Sequence, residues 1–260
     1  MLTRPAVLRV AMLILPVLVA AHVAWANVTP AGPDASPTRA PAFFERSDIA
    51  FALVSTAAVA VTAHHDLALR RRAIAADSPF YRNLANATRP FGNTGIVLPA
   101  LIAGYALARL EHSPAAQGFA EVGVSVAAAS LGTLIIKEAV GRVRPEDSPG
   151  DSRLYHPFSG NNSFPSGHAS VAFALAESIG RTSGRRWVPF LTYPVATVVA
   201  WSRVRDDDHW TSDVVAGTAL GIWTAHKVHR MWPAEKRLLS RFGITLHVTA
   251  GAHMLAVTVE

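Results

Sequence analysis

The chain has 260 residues, half of them hydrophobic, no cysteine and a net charge of +6. That length and apolar content suit one large domain with an ample core, and the missing cysteines exclude a disulfide framework and a zinc-thiolate site. Its arginines are scattered through loops and helix ends without interleaved aromatics, which suits anionic substrates or membrane headgroups and argues against nucleic acid.

Met1 to Ala26 has the layout of a secretory leader. Arg4 and Arg9 precede an apolar run from Val10 to Ala24, and Ala24-Trp25-Ala26 forms a small-x-small cleavage site. The same run, interrupted by Pro16, would also serve as an uncleaved N-terminal anchor. Residues 27–45, rich in Pro and Ala, read as a linker. A helical domain is expected over 46–232, with segments Asp48 to His64, Gly95 to Leu110, Gly118 to Lys137, Ser166 to Ile179, Trp187 to Trp201 and Thr211 to His229. Between the first two, the tract from Asp77 to Asn93 suggests a short helix and loops over one end of a bundle. The polar stretch from Pro145 to Phe164 reads as a loop at the mouth of a site. In the tail 233–260, Ile244 to Val259 is β-favouring around Ala250-Gly251 and reads as a small hairpin. The expected fold class is all-α: a bundle of about six core helices with a short C-terminal β-hairpin.

Three clusters interrupt the alanine-rich pattern between Lys137 and Asp213. They are Lys137 with Arg144-Pro145, then Pro165-Ser166-Gly167-His168, then Ser202-Arg203 with His209 and Asp213. Buried charges need partners, and an anion held among these groups would supply one. Gly167 follows Pro165-Ser166 where a helical run begins, so free amides would point at the anion and no Cβ would block its approach. Lys137, Arg144 and Arg203 would neutralise phosphoryl oxygens in the transition state. The spacing of His209 and Asp213 places them on one helical face, where a carboxylate can hold one ring N–H and leave the other nitrogen as a nucleophile. His168 is then the general acid for the leaving oxygen. Asp206, Asp207 and Asp208 read as a cap for the helix carrying His209 and Asp213, with a metal site as the sharper alternative.

Written as Lys137-x6-Arg144-Pro145, Pro165-Ser166-Gly167-His168 and Ser202-Arg203-x5-His209-x3-Asp213, these clusters resemble the three-part signature of the type 2 phosphatidic acid phosphatase superfamily. That superfamily includes lipid phosphate phosphatases, bacterial nonspecific acid phosphatases and vanadium haloperoxidases. The resemblance is close over the middle third of the chain and implies a metal-free phosphomonoesterase or pyrophosphatase. It implies a phosphohistidine on His209, oriented by Asp213 and with His168 as acid, while Lys137, Arg144, Ser166, Gly167 and Arg203 bind the phosphoryl group. It also implies no cofactor, vanadate as an inhibitor, and a phosphorylated lipid such as phosphatidate or undecaprenyl pyrophosphate as partner. A phosphatase of soluble esters and a vanadium haloperoxidase are the alternatives, the short chain arguing against the latter.

Location is less uniform in its signals. Several segments lie near the lower limit of about 17 apolar residues for a membrane helix, and mean hydropathy is only +0.26. From an exterior start, crossings by the Asp48, Gly95 and Gly118 segments would carry Lys137 and Arg144 into the cytoplasm, whereas the resemblance implies an outward site. Arg70-Arg71-Arg72 would suit a cytoplasmic helix end. The expectation is an exported bundle at the periplasmic face of a bacterial inner membrane, membrane-associated or integral, with its site outside the cytoplasm.

Overall fold

A computed structural model describes residues 43–76, 78–241, 246–251 and 254–259, with side chains up to residue 232. The expected leader, 1–26, lies outside the described residues. The helices are α1 (Arg46–Ala75), α2 (Pro79–Thr88), α3 (Thr94–Leu110), α4 (Ala115–Val140), α5 (Gly167–Thr182), α6 (Pro189–Arg205) and α7 (Thr211–Arg241), with a 3-10 turn at Arg89–Gly92 after α2. All six expected segments are helical. Beyond the bundle, the backbone of β1 (Leu246–Gly251) and β2 (Met254–Val259) pairs antiparallel, and no site residue falls on it.

α5 is the centre of the bundle, packed against α4, α6, α7 and the 3-10 turn. Most of its residues are buried, among them Phe173 and a series of alanines and serines. Small side chains allow close helix approach. A Cβ at Gly217 of α7 would lie 2.3 Å from the Ser166 carbonyl oxygen, and Ser170 Oγ donates to the Gly217 carbonyl at 3.0 Å. Such contacts bind helices where water offers no hydrophobic drive. Leu69, Trp201, Val204, Val214 and Ile222 complete the core around Phe173.

α1 runs further than its apolar pattern suggested. At His64-His65-Asp66 the apolar run of α1 ends, yet the helix continues because Asp66 is fully buried and accepts from the Ser212 amide and hydroxyl at 2.9 and 2.6 Å. Near its expected end, α7 is tied to α1 and α4 through polar residues: Lys227 and Trp223 to Asp48, Arg230 to Glu45 at the N-cap of α1, and His229 to Glu121. Tertiary partners replace the solvent that would otherwise favour ending a helix.

These ties also set directions. The start of α1 lies beside the far part of α7, and its end lies beside the start of α7. α4 runs the same way, from Glu121 near His229 to Lys137 near the loop residue Asn162. All signature residues therefore collect at the end of the bundle where α1 and α4 finish.

α1 and α4 are long and apolar enough to cross a membrane, and α2 with α3, bent by 59°, would make a third, broken span. Only 6% of the apolar window of α1 is buried inside the protein. Ile49, Leu53, Leu131, Leu134, Ile102 and Phe190 all face outward. Apolar surface on this scale matches hydrocarbon and not water. The protein is a membrane protein.

Candidate active site

Gly141 ends α4, and the chain then turns inward so that Arg142 is buried while Arg144 remains half-exposed. The loop from Pro145 to Phe164 folds back on this segment: Val143 N donates to the Leu154 carbonyl, and Ser163 N to the Arg142 carbonyl, each at 3.0 Å. Asn162 is thereby placed between two cations. Its backbone carbonyl accepts from Lys137 Nζ, and its side-chain oxygen accepts from Arg144 Nε at 2.9 Å.

The second cluster starts α5. Ser166 is the N-cap, fully buried, with its hydroxyl oxygen 3.5 Å from the Ala169 amide and its own amide donating to the Asp213 carbonyl at 2.9 Å. Gly167 sits beside Lys137, and an added Cβ there would meet Lys137 Cε at 3.8 Å, an ordinary contact. No protein atom demands glycine at this position. His168 is half-buried under the 3-10 turn, where a Cβ at Gly92 would come within 2.8 Å of the His168 carbonyl. Burial first, then the charges of Arg203 and His209, lower the His168 pKa to about 4.

His209 departs from the expected geometry. α7 begins at Thr211, so His209 lies on the turn before the helix and does not share a helical face with Asp213. Its Nδ1 lies 2.7 Å from the Ser163 carbonyl oxygen and 3.7 Å from Asp213 Oδ2. A carbonyl can only accept, so Nδ1 carries the hydrogen and Nε2 keeps a lone pair in the neutral ring. Burial is the main influence holding the His209 pKa below its ordinary value. The ring is positioned by a backbone carbonyl, with the carboxylate as a second, longer-range neighbour.

Asp213 has other work. Its Oδ2 accepts from the Trp210 amide at 2.9 Å, fixing the first turn of α7, and from Ser163 Oγ at 2.5 Å. Its Oδ1 accepts from Arg142 Nη1 at 2.5 Å. Burial opposes its ionised form, but the neighbouring His209 ring, the Arg142 guanidinium and the Ser163 hydroxyl outweigh that and lower its pKa.

The three aspartates before His209 do not cap α7. Asp207 takes both Nε and Nη2 of Arg70 at 2.5 Å, and Asp206 is shared by Arg89, Arg203 and Arg205. Asp208 Oδ2 lies 2.8 Å from Arg203 Nη1 and Asp208 Oδ1 lies 3.5 Å from Arg144 Nη1. Among the described residues, no group of three or more histidine or acidic side chains is placed to hold a metal ion. Arg144 and Arg203 thus already have carboxylate partners within the chain, besides any anion held among them.

Residues 118–237 match the family model of the PAP2 superfamily. The chain carries a PAP2 domain. This is the superfamily whose signature its three clusters resemble. Over 88 residues the chain is 36% identical to a lipid A 1-phosphatase of Porphyromonas gingivalis, covering 33% of this chain and 17% of that one. Over 89 residues it is 34% identical to an undecaprenyl-diphosphatase of Sulfolobus acidocaldarius, covering 34% and 43%. The chain thus spans less than half the length of either relative. Its fold is similar to that of a transmembrane PAP2-type phosphatidylglycerolphosphate phosphatase from Bacillus subtilis, with a TM-score of 0.55, 21% identity, and coverage of 72% of this chain and 96% of that one.

The PAP2 domain also uses residues that the signature did not point to. Arg142 is almost wholly buried and all its donors are engaged: Nε and Nη2 on the Ser152 carbonyl, Nη1 on Ser212 Oγ and Asp213, and Nη2 also on Asp66 at 2.8 Å. Trp210 packs against it, ring centroid 5.5 Å from the guanidinium carbon, and gives its indole N–H to the Val143 carbonyl at 3.0 Å. The legible signal was Asp66, a lone carboxylate closing the apolar run of α1, which needs a buried cation.

Proposed function

We propose that this protein hydrolyses phosphate monoester or pyrophosphate groups carried on a lipid, through a phosphohistidine on His209. The observation that carries the reading is the contact between His209 Nδ1 and the Ser163 carbonyl, which leaves Nε2 as the free lone pair at a site lined by Lys137, Arg144 and Arg203. Nε2 attacks phosphorus, the bond from phosphorus to the leaving oxygen breaks, and His168 gives that oxygen a proton. Water then attacks the phosphohistidine, the bond from phosphorus to nitrogen breaks, and inorganic phosphate leaves. His168 takes a proton from that water. The cations stabilise the oxygens of the transferring group, so the reading includes no metal. Asp213 serves by fixing the turn that presents His209 and by its charge near the ring.

A lipid substrate is supported by the membrane character of the chain and by a groove between α5 and α6. This cavity of about 240 Å³ is lined by Phe91, Ala172, Leu175, Ile179, Leu191 and Val195, among others. It starts at Phe91, next to the glycine that covers His168, and one turn along α5 at Ala172. The names of the relatives, a lipid A phosphatase and an undecaprenyl-diphosphatase, point the same way.

The reading places the site outside the cytoplasm, as the family resemblance implies. Because α1 starts at the end opposite the site, a spanning α1 then requires Arg46 on the cytoplasmic side. Cleavage after Ala26 with an exterior new N-terminus would invert this, so leader removal and an outward site exclude each other in a spanning bundle. Reporter fusions after Pro145 and before Arg46 test the pair, with exterior and cytoplasmic signals expected in that order. For the activity, purified protein in detergent is assayed for phosphate release from phosphatidate, undecaprenyl pyrophosphate and a soluble ester, with chelator and with vanadate. Release from the lipids that survives chelator and is blocked by vanadate is the expected result. Halide oxidation with added vanadate and no phosphate release would defeat it.

A further inference from the structure

We propose that Asp208 is an internal competitor for the phosphoryl site, a carboxylate that sits where the incoming anion must bind and so sets how tightly inorganic phosphate is held. The inference rests on the assignment of Arg144 and Arg203 to the phosphoryl group. Asp208 joins those two arginines: one oxygen is 2.8 Å from Arg203 Nη1 and the other 3.5 Å from Arg144 Nη1. The two guanidinium groups come from different clusters, one after α4 and one at the end of α6, and this carboxylate is the described acidic group that contacts both. A carboxylate offers two oxygens to an arginine much as a phosphate does.

Asp208 differs from its neighbours in being replaceable. Its side chain is 28% exposed, against 13% for Asp206, which is shared by three arginines. Asp207 faces away to Arg70. When a phosphoryl group arrives, Arg203 keeps Asp206 and the Ser202 hydroxyl as anchors, so only the contacts to Asp208 need exchange. The charge of Asp208 then repels a bound dianion at close range. Substrate affinity falls, but so does the affinity of the product, which carries the same group. An enzyme that releases inorganic phosphate gains from this wherever product release limits turnover.

The test compares Asp208→Asn with Asp207→Asn and wild type in the full chain in detergent, measuring calorimetric affinity for inorganic phosphate and phosphate inhibition of turnover. Asparagine keeps an oxygen for Arg203 and removes the charge. Asp208→Asn is expected to bind phosphate on the order of tenfold more tightly, with a lower KM and stronger product inhibition, while Asp207→Asn matches wild type. Unchanged or weaker phosphate binding in Asp208→Asn would overturn the proposal, the weaker result showing that Asp208 holds the arginines in place. An equal gain in Asp207→Asn would also overturn it, since net charge alone would then explain the effect. If wild type failed to turn over any phosphate ester yet Asp208→Asn still bound phosphate more tightly, the competition would stand and the catalytic reading would fall.

Discussion

Arg142 and Arg203 lie at the same end of the bundle, both nearly buried and both facing two carboxylates, yet only the carboxylates of Arg203 reach water. Around Arg142 the acceptors are Asp66, Asp213, Ser212 and Ser152, all themselves buried, and they consume every donor it has. Arg203 instead meets Asp206 and Asp208 at the protein surface, where exposure rises to 28%. A saturated charge among buried acceptors cannot be given up without stranding them, so it acts as scaffold. A charge whose acceptors reach water can exchange one for another anion.

The sharpest way to break this contrast is at the ring the scaffold presents. His209→Ala is expected to lower phosphate release by at least about a thousandfold, with a little-changed thermal transition, because it deletes the nitrogen proposed to attack phosphorus and a single hydrogen bond. Rapid quenching with labelled substrate is expected to trap acid-labile phosphate on wild type and none on the variant. Turnover near wild-type level in the variant would remove His209 from the chemistry.

Next in size is the comparison of the two arginines themselves. Arg142→Ala leaves Asp66 and Asp213 buried without their cation and is expected to cost about 3–5 kcal/mol of stability, read by thermal or denaturant unfolding in detergent. Arg203→Ala is expected to unfold nearer to wild type, since Asp206 keeps Arg89 and Arg205, while phosphate affinity and turnover drop. Equal destabilisation by the two would erase the distinction between scaffold and site.

A smaller effect sharpens it through protons. His168 is held to about 4 by burial and by Arg203, His209 and Arg89, against the opposing charge of Asp208. It is therefore neutral at pH 7 until an anion arrives, and a bound dianion raises its pKa. Binding then takes up a proton in the window between about 4 and the bound-state value. Affinity for tungstate, a dianion across that window, is expected to be greatest at low pH and to fall as pH rises through the bound-state pKa. In His168→Asn that slope is expected to disappear; an unchanged slope would assign the proton elsewhere.

Smallest is Asp207→Asn. The Arg70 pair is part-exposed, at 14% and 24% for the two side chains, and its loss is expected to cost about 0–1 kcal/mol in unfolding experiments. A loss as large as that of Arg142→Ala would show that exposure is a poor guide to which ion pairs hold this end together.

How far the site was legible depended on the kind of contact. Lys137, Arg144, Ser166, Gly167, His168, Arg203, His209 and Asp213 all come to one end of the bundle, because their spacing puts each at a helix end or the turn beside it. Asp206, Asp207 and Asp208 misled as a local cap, since a run of acids before a helix satisfies a local rule while its partners, Arg70, Arg89 and Arg144, come from remote segments. Arg142 and Asp66 are 76 residues apart, and nothing in either neighbourhood states that they meet.

The sequence by itself determined that the chain is helical and apolar, where its helices lie, and which cationic and histidine clusters stand at helix ends, because periodicity and spacing are properties of neighbouring residues. Only the tertiary structure decided that the His209 ring is held by the Ser163 carbonyl, with Asp213 at a longer distance, that one arginine is consumed in the core while another stays open, and that Asp208 stands between two of the cations. Those outcomes depend on how many acceptors surround each donor and how far water reaches it, and both are set by segments that fold together from distant parts of the chain.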